Sequence, residues 1–599
     1  MPFSPEPSRA DMRILTSHLG YDAGAPKSAL IEMSLPGATP RVELLSLDDH
    51  SRVHLEARPA AQVDAWKTGA FARVDFDHVE AHGRYRIVAA VDDQVVSSEP
   101  FTIGEERVAA GTLSDILFAF KAGRSSGEIE RKDAAARLYG DGSGVTVDAR
   151  GGWLDASGDT SKFLSHLTYS PTMSPQQIPL CAWAFLEARD QLATLHPRFH
   201  RALGARLRDE ALFGADFLVR FRTPEGAFYS GIFDALTKRL EERVINAPLP
   251  ECVRTDRYRA SYRGGGGLAI AALARASRER EHGNFTNAEY LAAAVGAFDD
   301  LERHNADYLF GLDLETGALT ESSESIVDDY CALLAATELV AAADDDRERF
   351  TAAADRRAAA LIDRYRTSPR EPGWFEAWED GRPFFSAVEG GLPVVALLRY
   401  VDLVPDARHA EAARELAVAV MGDLLQRTAA VPNPFGYPRQ RIQPRSGETR
   451  DAFFFPHDND TGYWWQGENA NLGSLSFAAL LVAGLPECDR ELATSLRRFA
   501  SDQVHWVLGR NPFDACMLQG RGRNNVEYTP DFPNLPGGIV NGITSHPDDE
   551  HGIAFLTPDT AEGPDSWRWA EQWIPHSAWF LLAVSASGPA SESRAGRPD

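Results

Sequence analysis

Cys331-Ala332-Leu333-Leu334-Ala335-Ala336 is a stretch of sequence without a charged or strongly polar side chain. Phe477–Gly484 is apolar nearly all round in the same way. Both stretches lie inside longer segments with helical periodicity, and a helix that is apolar on every side has to be enclosed by other elements. The two stretches therefore predict buried helices surrounded by a ring of further helices.

From residue 112 onward the apolar residues recur with the period of an α-helix. The start and stop signals divide this region into segments of ordinary helix length. The pattern predicts twelve helices: 113–122, 175–195, 198–222, 260–281, 286–308, 326–343, 346–366, 384–401, 408–427, 461–484, 489–508 and 569–584.

The connections between these helices alternate in length. Short ones span 196–197, 282–285, 344–345, 402–407 and 485–488, and long ones span 123–174, 223–259, 309–325, 367–383, 428–460 and 509–568. If successive helices run up and down, every long loop falls at one end, and long loops in a compact domain are usually functional. The alternation predicts an (α/α)6 barrel with its site at the end that carries the long loops.

The N-terminal region has a different period. Between Gly, Pro and Asp turn signals, short β-branched and apolar runs predict the strands 13–19, 29–35, 42–47, 71–76, 85–91 and 95–103. Such a pattern is typical of a β-sandwich. The expected fold class is thus multidomain β plus α, with a β-sandwich domain at 10–105, a helical catalytic domain at 112–585 and a disordered Ser-, Gly-, Ala- and Pro-rich tail at 586–599.

Composition excludes several classes of protein. The 599 residues carry 87 acidic and 61 basic side chains, a formal net charge of -26 that disfavours binding to nucleic acid. No apolar run is long enough to cross a membrane. The five cysteines form no Cys-x-x-Cys pair that would indicate zinc or redox chemistry. The N-terminus lacks a secretory signal pattern, so the expected location is cytoplasmic.

The first long loop contains Asp148-Ala149-Arg150-Gly151-Gly152-Trp153-Leu154-Asp155-Ala156-Ser157-Gly158-Asp159. Its three carboxylates are separated by small residues around one tryptophan, which lets acid groups approach each other with little steric hindrance. The alternative is that these aspartates only serve as turn and cap residues.

The last long loop ends in Trp567-Arg568-Trp569-Ala570-Glu571-Gln572-Trp573. Glu571 falls in the first turn of the last predicted helix, where a carboxylate could simply compensate the helix dipole. Apolar neighbours could instead raise its pKa, so that it donates a proton near neutrality.

Aromatic and polar side chains alternate in the remaining long loops. Aromatic rings stack on the C–H faces of sugars, while carboxylates and amides bind the hydroxyls. The alternative is that the rings plug the end of the barrel. The candidate sugar-binding residues of these loops are Trp374, Trp378, His457, Asp458, Trp464, Trp465 and Glu468. The run His457–Asp460 could also hold a structural calcium ion, although it lacks the spacing of a calcium loop.

With these motifs in view, the chain resembles glycoside hydrolase family 9, the inverting β-glycosidases that include many cellulases. Residues 148–163 resemble the family signature Asp-x-x-Gly-Gly-Trp-x-Asp-Ala-Gly-Asp-x-x-Lys-Phe, and Leu508-Gly509-Arg510-Asn511-Pro512 resembles its Leu-Gly-x-Asn-Pro segment. His18-Leu19-Gly20-Tyr21 and Ala25-Pro26-Lys27 resemble the immunoglobulin-like domain that precedes many of its catalytic domains.

The resemblance implies a role for each carboxylate. Asp159, aligned through Lys162-Phe163, would be the general base, and Asp155 would help to hold the attacking water. Glu571 would be the general acid. Trp153 of the signature would contact the sugar. No cofactor would be required, and the partner would be an oligosaccharide.

The sequence departs from the cellulase pattern in two places. It reads Asp-Ala-Ser-Gly-Asp where the cellulases read Asp-Ala-Gly-Asp, so Asp155 and Asp159 are one residue further apart. The family's His-His-Arg after the Asn-Pro segment is absent, and Arg521 and Asn524 of that region become the candidate substrate contacts. The Trp-Trp-Gln-Gly-Glu segment ending at Glu468 resembles the exo-acting oligosaccharide hydrolases of the family.

The sequence therefore predicts an inverting glycoside hydrolase that removes single sugars from the non-reducing end of short β-linked oligosaccharides, in the manner of a β-glucosidase. An exo-β-glucosaminidase and an endo-β-1,4-glucanase of the same family are the enzymatic alternatives. A carbohydrate-binding protein with an inactive barrel is a further alternative. A polysaccharide lyase with His457 or Tyr463 as its base is the last.

Overall fold

The computed structural model describes residues 12–378, 380–528, 533–558, 560 and 563–588. The N-terminal part forms two sheets around a shared apolar core. Their strands are β1 (Arg13–Leu15), β2 (Tyr21–Asp22), β3 (Ser28–Met33), β4 (Arg41–Ser46), β5 (Arg52–Leu55), β6 (Ala61–Gln62), β7 (Ala70–Asp75), β8 (Gly83–Val91), β9 (Gln94–Ser97) and β10 (Phe101–Gly104). The orders are β1-β3-β7-β6 and β2-β10-β8-β4-β5, with β9 also paired to β8.

Where a strand has one face on the shared core, buried side chains that face this core alternate with side chains that face outward. In β8 the side chains of Tyr85, Ile87 and Ala89 are buried, while the residues between them are only partly covered. The sequence predicted most of these strands but not the short strands β2, β5 and β6. It also ran β9 and β10 together, although Pro100 separates them and cannot donate a ladder hydrogen bond.

The remainder of the chain is mainly helical. Its helices are α1 (Arg107–Ala122), α2 (Gly127–Asp133), α3 (Ile178–Leu195), α4 (Pro197–Arg220), α5 (Gly267–Ala276), α6 (Asn287–Tyr308), α7 (Ile326–Ala342), α8 (Arg347–Asp363), α9 (Leu392–Leu403), α10 (Ala410–Ala429), α11 (Asn469–Ala483), α12 (Arg490–Val507), α13 (Trp567–Ala570) and α14 (Ile574–Ala586).

Six of these helices form a closed inner ring, in which α3, α5, α7, α9, α11 and α14 each contact the next and α14 contacts α3. Outside it, α4, α6, α8, α10 and α12 each pack on the preceding inner helix, and α1 packs on α14. The inner helix α7 is buried along its length from Ile326 to Val340. The burial predicted from Cys331–Ala336 is therefore confirmed.

Every long connection leads from an outer helix to an inner one, and every short connection leads from an inner helix to an outer one. With antiparallel neighbours, the long connections meet at one end of the ring, which is called the mouth below. Short paired strands lie within these connections and hold them in place. The pairs are Ala136–Arg137 with Thr146–Val147, Lys162–Phe163 with Gly231–Phe233 and Val244–Ile245, Ala247–Pro248 with Arg254–Thr255, Gly311–Leu312 with Leu319–Thr320, Tyr365–Arg366 with Trp374–Phe375, Gln440–Ile442 with Arg450–Ala452, and Thr544–His546 with Asp549–Ala554.

Some predicted helix boundaries are wrong at the mouth. The helices predicted to start at 384 and 461 start at Leu392 and Asn469. The helix predicted at 569–584 is broken between α13 and α14, and Glu571 lies in the extended segment between them rather than in a first helical turn. Pro575 explains the second start, because proline fits the first turn of a helix but not its interior.

Among the described residues, no helix combines the length and the apolar content needed to cross a bilayer. All five cysteines are free thiols. The tail predicted at 586–599 is described only as far as Gly588, and residues 589–599 lie outside the described residues.

A buried ion-pair network joins the sheets to the helices. Asp502 on α12 accepts hydrogen bonds from Arg73 on β7, at 2.8 and 3.1 Å, and from Arg510, at 2.7 Å. The side chains of Arg73, Arg510 and Asp502 are at most 7% exposed. Removing the carboxylate would leave two buried guanidinium groups without their common partner.

We expect Asp502→Asn to lower the free energy of unfolding by about 3 kcal/mol, since breaking a buried ion pair leaves an uncompensated charge. Urea unfolding followed by circular dichroism measures the change. The control is Asp299→Asn, which breaks the exposed pair with Arg349 and should cost less than about 1 kcal/mol. Equal stability of the two variants would contradict this prediction.

Candidate active site

Two segments far apart in the sequence lie side by side at the mouth. The Ser157 N–H donates to the Gln572 carbonyl at 2.8 Å, and the Gln572 N–H donates to the Ser157 hydroxyl at 3.0 Å. On the other side of the second segment, the Asn541 N–H donates to the Glu571 carbonyl at 2.7 Å. These backbone contacts bring Asp155 and Asp159 of the first long connection next to Glu571 of the last.

Asp155 is 3% exposed and is held from two sides. The Trp573 indole N–H donates to its Oδ1 at 2.9 Å, and His166 Nδ1 lies 3.9 Å from its Oδ2. Burial, followed by the charge of Asp159, raises the pKa of Asp155 well above its usual range. Burial also lowers the pKa of His166 to about 4, so this imidazole is neutral near pH 7.

Two groups beside Asp159 stabilise its negative charge. Its Oδ1 accepts the Ser161 N–H at 2.8 Å, and the guanidinium of Arg243 is near enough to lower its pKa. Burial opposes these effects, as does the nearby Asp234, and the net result is a raised pKa. Burial thus raises the pKa of both Asp155 and Asp159, while the Ser161 N–H and the charge of Arg243 favour the ionised form of Asp159.

Glu571 lies in extended backbone, with φ -71° and ψ 141°, between α13 and α14. Burial raises its pKa well above the usual range, and the charges of Asp159 and Asp155 raise it further, while the Asn541 side chain acts in the opposite direction. A carboxyl group in these surroundings keeps its proton near neutrality.

The three carboxyl groups together form an acid and a base. Since they raise one another's pKa, they do not all ionise at the same pH. The hydrogen bond from Ser161 favours Asp159 as the anion, and Glu571 retains a proton. Such a site can protonate one group while it removes a proton from another.

Aromatic rings surround these acids. The ring of Trp464 lies 6.0 Å from that of Trp573, and the ring of Trp465 lies 5.6 Å from that of Trp569. The imidazole of His457 stacks on Trp465 at 3.9 Å. Its Nε2 is 2.7 Å from the Ser545 hydroxyl, and burial lowers its pKa to about 4. Trp464, Trp465 and His457 thus belong to one polar-edged aromatic wall.

Glu468 lies at the mouth end of α11, where it is 1% exposed. It accepts the Phe455 N–H at 2.7 Å, and burial raises its pKa to about 8. The carboxyl group therefore carries a proton over most of the neutral range and fixes the segment that leads into the aromatic wall.

Trp378 lines a cavity of about 460 Å³ at the mouth, together with Tyr169 and Asp460. Trp374 lies on a short strand, with the guanidinium of Arg441 4.6 Å from its ring centre. Asp458 accepts the N–H and the hydroxyl of Ser446, at 2.9 and 2.5 Å, so its carboxylate holds a surface turn.

Trp153 is a correction to the predicted site, because the structure places it in the core. It is 0% exposed and packs against Phe120 and Phe185, and its indole N–H donates to Glu210 at 3.3 Å. A Cβ atom on Gly214 would lie 2.7 Å from this ring, so the helix approaches it as closely as a glycine allows. Trp153 supports the helices and does not reach a substrate.

The structure gives Arg521 and Asn524 protein partners outside the three acids. Arg521 forms a two-point ion pair with Asp115 on α1. Asn524 adopts a left-handed conformation, with φ 56°, and its amide donates to the Asp514 carbonyl at 2.8 Å. These contacts hold both side chains against the protein and help to shape their loop.

Sequence reasoning missed several polar residues near the acids: His166, Asp234, Cys252, Tyr528 and Asn541. None belongs to a motif with fixed spacing. His166 follows shortly after the signature that ends at Phe163, and Asp234 ends a short apolar strand, so each carried only a weak positional signal.

No group of three or more His, Cys, Asp or Glu side chains within the described ranges is arranged to hold a metal ion. In the run considered for calcium, Asn459 accepts the Thr461 N–H and Asp460 accepts the hydroxyls of Ser170 and Thr172. Whether calcium binds there stays a prediction.

The model of the family described as glycosyl hydrolase family 9 matches residues 110–531. No curated protein shows a match.

Several solved structures share the fold. A metagenome-derived glycoside hydrolase family 9 endoglucanase is similar with a TM-score of 0.63 and 19% identity, over 96% of this chain and 98% of that one. A family 9 protein from Bacteroides ovatus gives a TM-score of 0.62 and 17% identity over the same shares. A mutant of the thermostable endoglucanase from Alicyclobacillus acidocaldarius gives 0.62 and 16%, over 96% of this chain and 99% of that one.

Proposed function

The chain belongs to glycosyl hydrolase family 9 and is a glycoside hydrolase, and from this premise we propose that it cleaves β-linked oligosaccharides with inversion. The observation that carries the proposal is the grouping of Glu571, Asp159 and Asp155 on segments joined by hydrogen bonds. One protonated acid and one ionised carboxylate are what a single displacement by water requires.

In the proposed reaction, Glu571 protonates the glycosidic oxygen, which departs with the leaving group. Asp159 removes a proton from a water molecule as that water attacks the opposite face of the anomeric carbon, and Asp155 helps to hold the water. Both proton transfers occur between carboxyl groups, water and substrate, so the reaction requires no cofactor. The aromatic wall, together with Trp573, would line the site that binds the sugar rings.

We expect the first product released from a β-glycoside to be the α-anomer, because water attacks from the side opposite the leaving group. Proton NMR of the early reaction distinguishes the two anomers before they equilibrate. An initial β-product would require a covalent intermediate and contradict the single displacement.

We further propose that the ring of six inner helices is an (α/α)6 barrel and that the two N-terminal sheets are an immunoglobulin-like domain, with boundaries near 10–105 and 112–585. The closed order of helix contacts and the shared core of the two sheets support this. In this arrangement the mouth is the substrate-binding end of the barrel.

The finer proposal is that the enzyme is exo-acting and releases single sugars, glucose or glucosamine, from the non-reducing end. Its support is that the longest connections, 123–177 and 508–573 with α13 inside it, are tied together beside the acids, as the contacts of Ser157 with Gln572 illustrate. Loops joined across a groove leave a pocket, and a pocket accepts a chain end.

Endo-action is the second candidate, and it is favoured by the similar structures, because two of those described above are endoglucanases. A polysaccharide lyase is disfavoured because the pKa of Tyr463 is not lowered: this residue is 41% exposed, and a phenol in contact with solvent is protonated near neutrality. The pKa of His457, about 4, makes its imidazole a weak base.

Incubation with cello-oligosaccharide and chitosan-oligosaccharide ladders, followed by chromatography of early products, tests these alternatives. We expect one sugar to be released at a time, with the chains shortening stepwise. Products of random length, or a rapid loss of viscosity of carboxymethyl cellulose, would instead indicate endo-action. A product that absorbs ultraviolet light through a new double bond would indicate a lyase, and binding without turnover would indicate an inactive barrel.

A further inference from the structure

Asp234 lies directly opposite the residue that follows the proposed base. The strand Gly231–Phe233 pairs antiparallel with Lys162–Phe163, in a register that sets Ile232 against Lys162. Two residues further along, the same register sets Asp234 against Thr160. The Thr160 hydroxyl donates to Asp234 Oδ2 at 2.8 Å.

The Asp234 side chain is 2% exposed, and its Oδ1 has no hydrogen-bond partner among the described residues. A buried carboxylate with an unpaired oxygen costs free energy that an apolar side chain would not. Packing alone therefore does not explain an acid at this position.

Thr160 is held at its main chain as well as at its hydroxyl. Its carbonyl accepts a hydrogen bond from Arg243, whose guanidinium also donates to Asp133 at 2.7 and 3.0 Å. The next residue, Ser161, donates its N–H to the Asp159 carboxylate. Movement of Thr160 would consequently carry Ser161 and the carboxylate with it.

We propose that Asp234 is a positioning residue for hydrolysis, which holds the Thr160 hydroxyl and so fixes the turn Asp159–Ser161 that aims the base. The inference rests on the proposed function, because it concerns the same base. Displacing a reacting group by about 1 Å can cost up to about 100-fold in rate. In this role Asp234 acts through its contact with Thr160.

Asp234 also adds a negative charge beside the base. The other titratable or charged groups that act electrostatically with Asp159 are Asp155, Glu571, Arg243, Cys252 and Tyr528. Removing the charge of Asp234 lowers the pKa of the base, so the base stays ionised to lower pH. Asp234→Asn removes this charge but retains an oxygen that can accept the Thr160 hydroxyl.

The test compares Asp234→Ala, Thr160→Val and the double variant by kcat, KM and thermal unfolding. We expect each single variant to lower kcat about 10-fold with little change in KM, and the double variant to lose no more than the worse single one. Asp234→Asn should keep kcat within about 3-fold, and the acidic limb of its kcat/KM profile should move to lower pH. The control is Thr194→Val on an exposed face of α3, which should leave kcat unchanged.

Wild-type kcat in Thr160→Val, or independent losses that multiply in the double variant, would overturn the inference. An unmoved acidic limb in Asp234→Asn would also overturn it. Thr160→Val only replaces a hydroxyl group by a methyl group. This variant therefore tests the positioning role even if Asp234→Ala fails to fold. Failure of the proposed function would be recognised separately, because the wild-type enzyme itself would then hydrolyse no β-glycoside.

Discussion

Glu571→Gln should lose roughly 100-fold or more in kcat/KM on an oligosaccharide, and much less on an aryl glycoside with an activated leaving group. The oligosaccharide leaves as a poorly stabilised alkoxide unless it is protonated, whereas an activated phenol leaves without help. Glutamine has nearly the same size as glutamate, but its amide has no acidic proton that could be transferred to the leaving oxygen. Steady-state kinetics on both substrates measures the difference.

The pH profile gives a second readout of the same variant. In the wild type, kcat/KM should fall on the alkaline side as the raised pKa of Glu571 is passed and the proton is lost. Glutamine does not titrate, so the residual activity of the variant should lack this alkaline limb. The matched control is Glu128→Gln, whose side chain is 76% exposed. Equal losses on the two substrates would exclude Glu571 as the acid.

For Asp159→Asn we expect a loss of about 1000-fold on both substrates, because water has to be activated whichever group leaves. Asparagine preserves the shape of the side chain and can still accept the Ser161 N–H, so the turn should be kept. Kinetics on the same pair of substrates measures the loss, and Asp209→Asn, 61% exposed on α4, is the control.

Azide provides a further test of which residue is the base, because this anionic nucleophile attacks the anomeric carbon without the help of a base. It should restore turnover of an aryl glycoside by Asp159→Asn and leave the oligosaccharide defect of Glu571→Gln unchanged. Wild-type rates in Asp159→Asn would show that the extra residue between Asp155 and Asp159 misaligns the base, and Asp155 would then be the residue to test.

The helical architecture could be predicted because burial leaves a direct trace in sequence. Stretches such as Cys331–Ala336 are apolar on all sides only when other helices enclose them, and α7 is buried in this way. The second part of the prediction came from the lengths of the connections. Because long and short loops alternate, all the long loops, which usually contain the functional residues, lie at one end of the helix ring. The six inner helices follow this alternation.

Helix ends and single roles were harder to predict. The helix expected through Glu571 breaks because Gln572 and Trp573 hydrogen-bond to Ser157 and Asp155, a contact between segments that no local pattern encodes. Trp153 was expected to contact the sugar, yet it lies in the core, where Gly214 lets a helix approach its ring. Asp234 meets Thr160 only through strand register, which a single sequence does not reveal.

The closure of the helix ring by α14 against α3 also has a consequence for the order of events during synthesis. A ribosome adds Glu571 and α14 more than 370 residues after Asp155, Asp159 and α3. The proposed acid and base cannot meet before the segment that carries Glu571 has emerged. Nascent chains and fragments that end before α14 therefore carry an open ring with unprotected apolar faces and no catalytic pair, so activity reports closure of the ring.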